Sequence, residues 1–99
     1  MNARAQEIDP AVEADPEYTP QQRTEDTLYF SLSCARDARN RMAEIDRNNP
    51  LEAPPEWYSE KDNLRIAQEN ARRYLTRMVE HGWPIPRLLE HMARFEGLL

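Results

Sequence analysis

Two glycines, one cysteine and one lysine in 99 residues set limits before any motif is sought. With so little glycine there is no loop able to bring backbone amides around a phosphate. Cys34 stands alone, so no internal disulfide can form, and a reducing compartment is the expected setting. No long hydrophobic run exists either. The longest largely apolar stretch, Leu28 to Ala35, falls far short of the ~20 residues a bilayer-crossing helix requires. The N-terminus is acidic and contains proline, so it does not read as a signal peptide. A soluble, cytoplasmic protein is expected.

What is present is charge, unevenly placed. Eighteen acids oppose thirteen bases for a net −5. Residues 1–20 carry Glu7, Asp9, Glu13, Asp15 and Glu17 against Arg4, a balance of −4, which leaves residues 21–99 at −1. Such a balance counts against nucleic acid as the main partner, because phosphate binding draws on a basic surface. Twelve of the thirteen bases are arginine, which suits bidentate ion pairs at helix surfaces and interfaces. A genome rich in G and C would give the same bias.

The pattern predicts an all-α fold of three helices behind a disordered acidic tail over 1–18, with a helical interaction domain over 19–99. Thr19-Pro20-Gln21-Gln22 is a start signal, with a hydroxyl cap, proline at the first helical position and glutamine at the third. Asn48-Asn49-Pro50 is the stop, asparagine tolerating the left-handed conformation and proline barring extension. Between them Leu28, Ser31, Leu32, Ala35, Ala38, Met42 and Ile45 share one third of the helical circumference and form a core stripe. The second helix starts at Pro55 or at Ser59, carries Trp57, Leu64, Ala67, Ala71, Tyr74, Leu75, Met78 and Val79 inward, and ends at His81-Gly82-Trp83-Pro84. The third runs from about Pro86 to Glu96, with Ile85, Leu88, Leu89, Met92 and Phe95 as the expected buried face.

Chemistry-bearing groups do not converge. His81 belongs at a helix C-terminus, where the dipole stabilises imidazolium; His91 lies on the flank of another helix. Neither has a cysteine or a second histidine at ligand spacing. The carboxylates stand beside arginines, as at Asp37/Arg41 and Glu69/Arg72/Arg73, and read as surface pairing. Cys34 has no histidine near it to lower its pKa. Hence no enzyme, cofactor or metal is expected. The Gly82 turn could be a helix-turn-helix with Arg87 and Arg94 leading into a groove, but Glu90 and Glu96 share that helix.

Tyr29, Phe30 and Ile66 point to a different class. All three stand off the core stripes of their helices, and large apolar side chains on outward faces mark a surface that another chain covers. A twofold homodimer built on the first helix would cover part of it. The function expected is therefore a small regulator or adaptor acting by occupying a partner protein, with Arg65, Arg73 and Arg77 forming rim ion pairs. A transcription regulator whose own dimer surface is apolar is a fitting target, which would make the chain an anti-activator. In size and helicity the chain is similar to small bacterial or phage-encoded inhibitors and secretion chaperones. DNA binding is the alternative.

Overall fold

The computed structural model describes residues 18–99. Three helices follow in order: α1 over Pro20–Asn48, α2 over Pro55–Glu80 and α3 over Arg87–Phe95. The expected tail lies outside these residues except for Tyr18. That side chain is docked on its own helix: its hydroxyl donates to Asp26 Oδ2 at 2.8 Å and the Arg23 guanidinium lies over its ring.

Each boundary has a local cause. Thr19 Oγ1 accepts from the Gln22 amide while Gln22 Oε1 accepts from the Thr19 amide, a reciprocal cap at the start of α1. At the other end Asn49 keeps a negative φ (φ −139°, ψ 68°) instead of turning left-handed. Its side-chain amide donates to the Ile45 carbonyl at 2.9 Å, so the carbonyl that a left-handed residue would serve is capped by the side chain. α2 starts at Pro55, leaving the Ser59 box inside the helix. It stops on Gly82, whose φ of +70° lets its amide reach the Val79 carbonyl and the Trp83 amide reach Met78. Gly97 (φ +76°) repeats this device after α3, with Leu98 bonded back to Ala93.

α1 and α2 form an antiparallel hairpin, for Arg41 in the second half of α1 pairs with Glu60 near the start of α2 at 2.9 Å. α3 folds back across it. Leu28, Leu32, Ala71, Leu75, Met78, Leu89 and Ala93 make one core, with Tyr74, Trp83, Ile85, Met92 and Leu98 packed against it. Ser31, Ala35 and Ala38 are buried as the stripe predicts, and Met42 and Ile45 are half-buried.

The structure corrects the expected core at three places. Leu88 and Phe95 are 58% and 66% exposed, and Val79 is also largely exposed. α3 is seated on Leu89, Met92, Ala93 and Glu96, which also have i, i+3, i+4, i+7 spacing. The reason for this rotation is Glu96. Its carboxylate, only 2% exposed, accepts from Arg39 Nη2 of α1 at 2.6 Å and from Gln68 Nε2 of α2 at 3.0 Å. A buried carboxylate needs such partners, and turning Glu96 inward carries Leu88 and Phe95 outward. Val79 loses its place because Met78, one position earlier, fills the core.

Candidate protein-binding furrow

Phe30 and Ile66 come from different helices and line the same furrow. It runs between α1 and α2, lined by Thr27, Phe30, Ser31 and Cys34 on one side and by Ile66, Ala67, Asn70 and Tyr74 on the other. The two large side chains are 67% and 47% exposed. Ser31 and Ala67 are small and buried, so the floor lies low and an incoming side chain can reach it. Cys34 is half-buried here with its thiol free.

The furrow continues toward the start of α1, sharing Thr27 and Tyr74 with a section lined by Pro20, Arg23, Thr24, Arg77, His81 and Trp83. Arginines gather at this end. Arg73 donates to the Asn70 side chain, Arg77 lies over the Tyr74 ring and Arg23 over Tyr18. None of the three is ion-paired within the described residues. At the far end Asp37 lies 3.6 Å from Arg36, and Arg41 is held by Glu60. One end is thus cationic and open, the middle apolar, and the other end has its charges matched.

Among the expected partner-binding residues, Phe30, Ile66 and Arg73 line the deeper section and Arg77 the adjoining one. Arg65 does not line the furrow; it pairs with Glu69 at 3.1 Å on the outer face of α2. The expected pairings Asp37/Arg41 and Glu69/Arg72/Arg73 are replaced by Arg36–Asp37, Arg41–Glu60 and Arg65–Glu69. Tyr29, about 100° round α1 from Phe30, is not in the furrow. It lines a second apolar cleft with Leu32, Leu88, Met92 and Phe95. Reading the sequence missed that cleft, since Leu88 and Phe95 were assigned to the core. The signal available was Glu96, a carboxylate in phase with Leu89 and Ala93.

His81 is placed at the α2 C-terminus, its Nδ1 2.9 Å from the Arg77 carbonyl and its ring stacked on Trp83. These contacts account for it without chemistry. Among the described residues no group of three histidine, cysteine or carboxylate side chains is arranged to hold a metal. None of the described helices is long and apolar enough to cross a membrane. The exposed side of α3 carries Leu88, Phe95, Glu90 and His91 beside Arg87 and Arg94, and Glu90 holds Arg94 at 2.8 Å. That is an apolar surface of mixed charge. No protein-family model, no curated protein and no solved structure matches the chain.

Proposed function

We propose that this chain is a non-enzymatic protein-binding module whose furrow between α1 and α2 receives an amphipathic helix of a partner protein. The observation that carries this reading is the order of chemistry along the furrow: Arg23, Arg77 and Arg73, then Phe30, Cys34 and Ile66. An occupant that fits presents two large apolar residues about one helical turn apart and carboxylates toward one end. Apolar contact supplies the affinity and the arginines fix the direction. A transcription regulator that uses such a helix for its own assembly is the partner class proposed, with this chain as its inhibitor.

Selection of helical peptides against the full chain, from a library varied in apolar spacing and charge, tests the proposal. The peptides recovered should carry the acidic-then-apolar order. Ile66→Asp and Arg73→Glu should each weaken them about tenfold or more, about 1.4 kcal/mol, with helix content unchanged. Binding indifferent to both substitutions would remove the furrow from consideration.

We also propose that the Tyr29, Leu88 and Phe95 cleft, on the other side of α1, is where a homodimer would form. Both surfaces could then be filled together. Sedimentation of the full chain and of Phe95→Glu at matched concentration checks this: the wild type should be dimeric and the variant monomeric.

A further inference from the structure

The cationic end of the furrow lies where the most acidic part of the chain joins the fold. Residues 1–17 carry Glu7, Asp9, Glu13, Asp15 and Glu17 against the single base Arg4. The chain enters α1 through Tyr18, and Tyr18 is turned back along the helix. Its ring lies against Arg23, which itself lines the furrow, and its hydroxyl is held by Asp26. On a helical wheel Arg23 and Phe30 lie within about 20° of each other. The contact of Tyr18 with Arg23 therefore lies on the same side of α1 that carries Phe30.

We propose that residues 1–17 of the same chain occupy the furrow, so that a partner helix must displace them. The order of residues matches the order of the groove. Counting back from Tyr18, Glu17, Asp15 and Glu13 come first and fall within about 17 Å of extended chain. Arg23, Arg77 and Arg73 occupy the corresponding stretch of the furrow. Val12 follows at about 20 Å and Ile8 at about 33 Å. Phe30 and Cys34 stand about 15 and 21 Å along α1 from Pro20, with Ile66 across from them. Seventeen residues reach about 55 Å when extended, well beyond the roughly 27 Å between the levels of Arg23 and Arg41. Asp26 and Asp37 are the acids on this side of α1 alongside the furrow, and Glu44, on the same side, lies beyond its Arg41 end. The first is engaged by the Tyr18 hydroxyl and the second stands beside Arg36, so the three arginines dominate the entry end. The proposal rests on the furrow reading above and adds its regulation: the protein's own acidic segment resembles the ligand proposed for it, and competes with it.

Cys34 makes the test possible without a label or a partner, because the only thiol of the chain lies in the middle of the furrow. The rate of its alkylation by N-ethylmaleimide, an uncharged reagent, is measured on the full chain and on a full-length Glu13→Gln/Asp15→Asn/Glu17→Gln variant. Loss of three exposed charge contacts should raise the rate about fivefold, and 0.5 M salt should accelerate the wild type but not the variant. The wild-type rate should not change with protein concentration, as cover from within one chain requires. Equal rates for the two proteins, or protection that grows with concentration, would overturn the proposal. Amide spectra supply a second readout. The triple variant should shift Phe30, Ile66, Asn70 and Arg73 while leaving Leu89 and Ala93 unmoved, and shifts absent from the furrow would count against the proposal equally. Peptide binding sensitive to Ile66→Asp alongside unchanged alkylation would remove the tail and leave the furrow. Altered alkylation alongside insensitive peptide binding would do the reverse.

Discussion

At the end of the hairpin where α1 begins and α2 finishes, α3 lies across both helices, and Leu28, Leu32 and Met78 are fully buried. At the opposite end α3 does not reach. There Met42, Ile45 and Trp57 remain half-buried although they continue the same stripes. The spacing of apolar residues is equally good in both halves, so spacing did not decide burial. A third layer did. A helical stripe needs neighbours on two sides before its side chains leave water completely. At the two-layer end the Trp57 Nε1 donor is enclosed without an acceptor, as Ser33 Oγ and Arg39 Nε are elsewhere.

The sharpest way to break this comparison is to shorten one residue in each half. Leu32→Ala should cost about 2–5 kcal/mol, because a cavity forms among α1, α2 and α3. Ile45→Ala should cost nearer 1 kcal/mol, since the site is half solvated already and no sealed cavity forms. Denaturant melts of both variants with equal m-values check this, and equal losses would mean the two ends are equally packed. Next in size is Glu96→Gln, expected to cost about 1–2 kcal/mol through loss of a charge-assisted bond to Arg39. Hydrogen exchange should show the effect concentrated in α3.

Leu88→Ala should change the stability of the monomer by less than about 1 kcal/mol, in keeping with a side chain more than half exposed. A loss as large as that for Leu32 would mean that α3 is rolled the other way in solution. The smallest expected effect is electrostatic. The Tyr18 phenol is held above its ordinary 10.0, chiefly by donating to Asp26 and further by partial desolvation and the Asp26 charge, against the pull of Arg23. A raised phenol pKa favours the fold fully below pH 10.0 and loses that contribution as pH climbs through the folded-state value. Absorbance titration of the wild type against Tyr18→Phe should assign a late-ionising phenol to Tyr18, and Asp26→Asn should lower its pKa.

Helix count, the Pro20 start, the Gly82 stop and the α1 stripe were legible because caps and periodicity are local signals carried by a few residues each. The rotation of α3 was not. Leu88 and Phe95, or Ala93 and Glu96, can each join Leu89 and Met92 on an inward face, and the choice was made by Arg39 and Gln68, which are 57 and 28 positions away from Glu96. Phe30 and Ile66 were recognisable singly as residues off their stripes. That they stand in one furrow depends on the register of the hairpin, which the Arg41–Glu60 pair reports and no local pattern contains. Arg65 was grouped with Arg73 and Arg77 as a charge beside Ile66, but it turns to Glu69 instead.

A nine-residue helix coated with oil on more than one side has little of its own to stop it from spinning in its seat. The carboxylate at its end acts as a key in a slot, since only one angle of the spin brings it to both the guanidinium and the amide. Any chain that gripped Leu88 and Phe95 would therefore read a surface whose aim is set by Glu96, in the wall of the same cleft. A change at Gln68, or at Arg39, whose guanidinium also lies over the Phe95 ring, would blur that aim.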